Sequence, residues 1–259
     1  VILDIDMGNT RGKWRLRTAG VIHQRGVLDI KVGVAAGLQD FYFKANLAEY
    51  KIEKILISSV LDAERNAQLS LFFKEKMAIV VCFAKSTASW NHLKNGYDHP
   101  EKLGVDRWLA MIAAVHENHG ACIVVDCGTA ITVDAIDAEG NHCGGYIAPG
   151  FGALHQALFN TTLIPPVQTA YSHSSAPGLN TSAAIGNARL AMLSGLIVEA
   201  ERALLAKSNG SQLLLMATGG DAIQVQRIRP DALLKPELVL DGLALFFETS
   251  DQVEDCKER

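Results

Sequence analysis

The opening of this chain occurs twice, and the repeat restricts the fold more than any other feature. Residues 3–10 read LDIDMGNT, and VVDCGTA (124–130) repeats the pattern 120 residues on. Asp6 falls on Asp126, Gly8 on Gly128, and Asn9-Thr10 on Thr129-Ala130. Each copy ends an apolar strand pattern and is followed by two more strand-like runs and a helix. A hairpin-led unit recurring a little under half a chain apart implies two similarly built α/β domains. Strand patterns at 1–7, 12–18 and 21–28 precede a helix at about 38–50, a strand at 54–60, a helix at about 62–76 and a strand at 78–84. A polar stretch at 86–104, rich in turn residues, leads to a helix at about 105–119. Strands at 121–127, 130–136 and 142–148 restart the series, with helices at about 150–160 and 181–207. A buried strand at 212–218, a helix opening at GGDAIQVQ and a last helix at about 239–249 follow, and the tail 250–259 reads as charged and frayed.

The repeated turn carries chemistry. A strand alternates faces, so Asp4 and Asp6 point one way while Leu3, Ile5 and Met7 point the other. Carboxylates in so apolar a strand are costly unless something pairs with them. Gly8 lets a ligand approach the backbone, Asn9 and Thr10 add donors, and successive N–H groups form an anion nest. Asp6 beside such a nest is best explained by a bridging cation such as Mg²⁺, or by water on that ion. Lys13, on the next strand, is placed to reach back to a phosphate. The alternative is a hairpin turn with an Asx cap and no ligand; the second copy and Lys13 weigh against it. In LLLMATGGDA a buried strand ends in Thr218-Gly219-Gly220 and turns into a helix. A double glycine there lets a base or ribose lie against the backbone and exposes helix N-terminal N–H groups. Asp4 has no role in this scheme.

Composition excludes some partners. A formal net charge of −4 leaves no basic footprint for nucleic acid, and no helix-turn-helix signal is present. No apolar run approaches the roughly 20 residues that span a bilayer, and no secretory signal is visible. The cysteines (Cys82, Cys122, Cys127, Cys143, Cys256) are odd in number and contain no C-x-x-C, a reducing-compartment pattern rather than a disulfide framework or zinc site. Cys82 and Cys122 read as core residues. A cytoplasmic protein without nucleic-acid or membrane partners is expected. His116 and His119 read as an exposed helix end rather than a metal site, and His92, His99 and His173 lie in polar loops.

Two phosphate turns and a late Gly-Gly turn form the pattern of actin-like, sugar-kinase-like and Hsp70-like ATPases. Between them lie NGYDHPEKLGVDRWLA (95–110), GGYIAPG (144–150) and NTSAAIG (180–186). Together with DMGNTRGK (6–13) and DCGTA (126–130), in this order over nearly the whole chain, they resemble type III pantothenate kinase. The resemblance implies two duplicated ribonuclease-H-like (actin-like ATPase) domains, 1–117 and 118–259, with a central cleft. It implies ATP-dependent phosphorylation of pantothenate to 4′-phosphopantothenate, the first step of coenzyme A biosynthesis. Asp6, Met7, Gly8, Asn9, Thr10, Arg11, Gly12 and Lys13 match its ATP-phosphate segment, Gly128 and Thr129 its second phosphate turn, and Gly219 and Gly220 its nucleotide motif. Asp126 matches an aspartate that holds a monovalent cation, K⁺ or ammonium. Asp106 matches the catalytic base, and Tyr97, Gly104, Val105, Asp106 and Arg107 match the pantothenate pocket. Thr181 matches a residue that reaches the substrate from the partner subunit, which implies a homodimer. Ala188, Ser182-Ala183 and Tyr146 depart from the usual pattern without touching the proposed catalytic set.

Chemistry supports these roles independently. An acceptor hydroxyl needs a nearby carboxylate to take its proton, and a guanidinium fork suits a substrate carboxylate. Alone, Asp106-Arg107 would read as a helix N-terminal acid with a surface ion pair. Two rivals remain at this stage: another actin-like small-molecule kinase, such as a sugar kinase, and a nucleotide-binding regulatory protein without turnover.

Overall fold

A computed structural model describes residues 1–164, 174–205 and 213–249. His173, Cys256, residues 206–207 and 212 of the expected helix and strand, and the tail 250–259 lie outside the described residues. In chain order the elements are β1 (Ile2–Met7), β2 (Arg11–Thr18), β3 (Val21–Asp29), α1 (Val34–Lys44), β4 (Lys54–Ser59), α2 (Ala63–Met77) and β5 (Val81–Phe83). Then come β6 (Ser89–Trp90), β7 (Leu93–Lys94), α3 (Val105–Glu117), β8 (Cys122–Cys127), β9 (Ala130–Ile136), β10 (His142–Pro149) and α4 (Phe151–Thr161). The series ends with α5 (Thr181–Leu205), β11 (Leu214–Thr218), α6 (Ile223–Ile228), β12 (Leu233–Leu234) and α7 (Leu238–Thr249).

The duplication read from two turns extends to whole sheets. One sheet is ordered β3-β2-β1-β4-β5 and the other β10-β9-β8-β11-β12. In both, the first three strands in sequence form antiparallel pairs and the last two add in parallel. The same order with the same strand directions twice in one chain is the duplicated ribonuclease-H-like, actin-like architecture. Among the described residues two compact units result: 1–90 with 98–113 and 238–249, and 91–97 with those between 114 and 237. A single cut after residue 117 does not describe them, because α7 returns to the first unit.

In the first unit Leu3, Ile5 and Met7 face a core shared with Leu16, Ile55 and Ile57 and with Leu38, Phe41, Leu69 and Phe73 of α1 and α2. The opposite face of β1 and β4 is covered by α7. Asp4 lies on that covered face and is fully buried. Arg15, its register partner on β2, donates from Nε to Asp4 Oδ2 at 2.9 Å, and Arg17 Nε donates to the same oxygen at 2.7 Å. Arg15 also reaches Asp241 Oδ1 at 2.5 Å and the Leu240 carbonyl at 2.7 Å, and Arg17 reaches Glu248 Oε1 at 3.0 Å. Asp4 is therefore the centre of an ionic clamp that ties the first hairpin to α7.

In the second unit Ile123, Val125 and Cys127 of β8 pack with Ile131, Val133, Leu215 and Ala217. Over them lies a stripe of α5: Gly186, Leu190, Leu193, Ile197, Ala200 and Leu204, spaced three or four residues apart. By length and composition α5 is apolar enough to cross a membrane, which corrects the expectation that no run approaches that length. Its stripe is committed to the sheet.

Other expectations need correction. The helix expected at 38–50 begins at Val34 and stops at Lys44, because Asn46 takes a left-handed conformation (φ 50°); a 3₁₀ turn follows at Leu47–Glu49. The strand expected at 78–84 shrinks to β5, since Ala78 closes α2 in the left-handed region (φ 55°). β12 was not expected; two residues are too short to show a period. Cys82 and Cys122, read as core residues, are both buried, Cys82 on β5. Cys122, Cys127 and Cys143 are free thiols.

Candidate phosphate and substrate sites

In the first unit the β1–β2 turn closes when the Gly8 N–H donates to the Arg11 carbonyl at 3.0 Å. Asn9 and Arg11 are exposed there and Thr10 is half-buried. β1 is flanked by β2 and β4, so Asp6 is the register partner of Lys13 on one side and Ser58 on the other. The Ser58 hydroxyl donates to Asp6 Oδ1 at 2.9 Å. A carboxylate, an ammonium and a hydroxyl thus share one face at the carboxyl end of β1, beside the turn. Met7 points the other way: its side chain is fully buried and its carbonyl accepts from Val60 N. Gly12 is its ladder partner. Ser58 was missed from sequence, although a serine pair ending an apolar parallel strand was a signal that could have found it.

In the second unit the corresponding turn closes when the Gly128 N–H donates to the Ala130 carbonyl at 2.9 Å. Thr129, exposed, accepts through its carbonyl from Gly150 N at 3.0 Å. The Gly219-Gly220 turn packs directly on this segment: Asp221 N donates to the Cys127 carbonyl at 3.0 Å. Gly219 has φ +91°, and a Cβ there would collide with Asp126 Oδ1 and the Cys127 backbone, so only glycine permits the approach. Asp126, Gly128, Thr129, Gly219 and Gly220, separated by up to 94 residues, therefore form one surface. Thr218 and Asp126 are register partners on the adjacent parallel strands. Burial, then the nearby carboxylates of Asp126 and Asp221, push the Cys127 thiol up to about 12, so at neutral pH it is no nucleophile. Asp221 was another omission; it follows directly on the glycine pair.

The Gly104-Val105-Asp106-Arg107 run starts α3 in the first unit, with Trp108 N donating to the Gly104 carbonyl at 3.0 Å. Asp106 lies half-buried in the first helical turn, and its Oδ1 accepts from Arg107 N at 2.8 Å. Arg107 is only 5% exposed, which removes the solvated surface ion pair as an explanation. Tyr97 belongs to the second unit, where its ring stacks on His142. Thr181 is exposed at the start of α5; Asn180 before it caps the helix, its Oδ1 accepting from Ala183 N at 2.9 Å.

Among the described residues no group of three or more His, Cys, Asp or Glu side chains is placed to hold a metal ion. That excludes a zinc-type cage there. Asp6, with Ser58 and Lys13 beside it, suits the outer sphere of Mg²⁺, which keeps most of its waters.

A family model described as type III pantothenate kinase matches residues 2–202. A type III pantothenate kinase from Cellvibrio japonicus (strain Ueda107) is 36% identical over 254 residues, covering 96% of this chain and 97% of its own length. Among solved structures, a Campylobacter jejuni protein assigned to the Baf family of transcriptional activators has a TM-score of 0.61 at 19% identity, covering 95% of this chain and 97% of that one. An inorganic polyphosphate/ATP-glucomannokinase from Arthrobacter sp. strain KM has a TM-score of 0.51 at 12% identity, covering 95% and 98%. At such identities these two likenesses concern the fold alone.

Proposed function

The chain belongs to the type III pantothenate kinase family, and from that premise we infer that it phosphorylates pantothenate to 4′-phosphopantothenate at the expense of ATP, a step of coenzyme A biosynthesis. The observation that carries the residue assignment is the start of α3, where a half-buried carboxylate and a buried guanidinium follow one another in the first turn. Asp106 takes the proton of the pantothenate hydroxyl as its oxygen bonds to the γ-phosphorus and the bond to ADP breaks. Arg107 receives the substrate carboxylate with its planar fork, beside Gly104 and Val105, and the family resemblance makes Tyr97 a further substrate contact. Such a transfer is catalysed mainly by positioning and charge neutralisation. Gly8, Asn9, Thr10, Arg11 and Lys13 offer donors and positive charge to the nucleotide phosphates, as do Gly128 and Thr129; Gly219 and Gly220 leave room for the nucleoside.

Asp6 would hold Mg²⁺, which would supply charge neutralisation at the phosphates, and Asp126 would hold K⁺ or ammonium beside the second turn. The enzyme works as a homodimer in the cytoplasm, each Thr181 reaching the partner's pantothenate. The exposed position of Thr181, and of Met192 and Val198 further along α5, supports a subunit contact along this helix. The cation assignment is tested by replacing K⁺ with Na⁺ in the kinase assay. The wild-type rate is expected to fall about tenfold, while Asp126→Asn is slow in either salt. Equal wild-type rates in both salts would remove Asp126 from this role.

A further inference from the structure

We propose that His142, oriented by Asp134, is a positioning residue for pantothenate that fixes the ring of Tyr97. The inference rests on the reading of Tyr97 as a substrate contact. All the residues involved lie in the second unit. His142 opens β10 and Asp134 lies on β9; His142 Nε2 and Asp134 Oδ1 are 3.0 Å apart, and both side chains are almost fully buried. A carboxylate acceptor at Nε2 selects the tautomer with its hydrogen there. That leaves Nδ1 buried with no hydrogen-bond partner among the described residues, a cost that an apolar pair of similar size would avoid. A buried polar atom left unsatisfied calls for a reason.

The neighbouring loop supplies one. Tyr97 lies against the His142 ring, with centroids 6.0 Å apart and planes 15° from parallel. The β9–β10 ladder shifts register by one residue between His142 and Gly145, a bulge of the kind that re-aims side chains. The 94–97 segment is anchored at Lys94 and braced within itself. Lys94 N donates to the Gly140 carbonyl at 2.9 Å, and Tyr97 N donates to Asn95 Oδ1 at 3.0 Å. Gly96 sits so close to His142 that any Cβ would strike the His142 carbonyl oxygen. Backbone and ring of the 94–97 segment are thus both referred to His142, and a hydrogen bond to a buried carboxylate sets the plane of that ring. A tyrosine with free rotation at χ1 and χ2 would otherwise have to be ordered by the substrate itself, at an entropic cost to binding.

The test compares steady-state kinetics of Tyr97→Ala, His142→Ala, the double variant and Gly96→Ala, each checked for cooperative unfolding. His142→Ala is expected to raise the pantothenate KM about tenfold, with the ATP KM within about twofold. The double variant should be no worse than Tyr97→Ala, because the effect passes through Tyr97. Gly96→Ala, which displaces the same loop from the other side, should reproduce the pantothenate effect even where His142→Ala fails to fold. A raised pantothenate KM in Tyr97→Ala with none in His142→Ala or Gly96→Ala overturns the positioning role and leaves Tyr97 as a substrate contact. Additive effects, or equal rises in both KM values, also overturn it. An unchanged KM in Tyr97→Ala removes the substrate contact and the inference together.

Discussion

Asp106→Asn is expected to lower kcat by about 10²- to 10⁴-fold, the usual contribution of a positioned general base, while ATP and pantothenate still bind. Asparagine preserves the size of the side chain, and its carbonyl oxygen can keep the bond from Arg107 N that Asp106 Oδ1 accepts at 2.8 Å. What it loses is the ability to take a proton. The remaining rate reflects positioning and charge neutralisation, which carry most phosphoryl transfers. Steady-state kinetics together with calorimetric titration of nucleotide and pantothenate separate the two effects. Wild-type turnover in this variant would refute the assignment of the base.

The second large effect concerns stability. Asp4→Ala removes the acid that both Arg15 and Arg17 reach, two guanidinium groups that are each about 95% buried. Burial acts to lower the Arg15 pKa, yet Asp241 and Asp4 hold it above its ordinary value. Breaking a buried charge set by deleting one partner costs about 3–5 kcal/mol, a large part of the roughly 5–15 kcal/mol of an ordinary domain. Denaturant unfolding should show that loss, with α7 released from the first hairpin. Asp241→Ala should cost much less, since its side chain is 40% exposed and solvent screens the pair. A change below about 1 kcal/mol for Asp4→Ala would contradict the clamp.

The clamp also shows where sequence stops being informative. Alternation in LDIDMGNT placed Asp4 and Asp6 on one face, and that is how β1 is built. What covers the face depends on α7, more than 230 residues downstream, and no local pattern announces that a C-terminal helix returns to the first unit. The duplication was legible because it is written in a spacing, Asp6 to Asp126, and in a strand order that each half must satisfy alone. The union of Asp126 with Gly219 follows from β11 lying parallel to β8, so each motif was visible in sequence while their meeting was not. Helix ends such as Lys44 were misjudged because a left-handed Asn46 is a backbone choice that composition scarcely constrains. The Asp134–His142 pair escaped notice for a simpler reason: a single acid in one strand and a histidine opening the next are unremarkable until a bulge brings them together.

The central claim is best tested by ADP release from the purified protein supplied with ATP, Mg²⁺ and K⁺, with pantothenate, glucose or no acceptor. The predicted result is steady turnover with pantothenate, formation of one 4′-phosphopantothenate for each ADP, and only background with glucose or without acceptor. Equal release with glucose would point to a kinase of different acceptor. Absence of pantothenate-dependent release from a folded, nucleotide-binding protein would contradict the assigned activity outright.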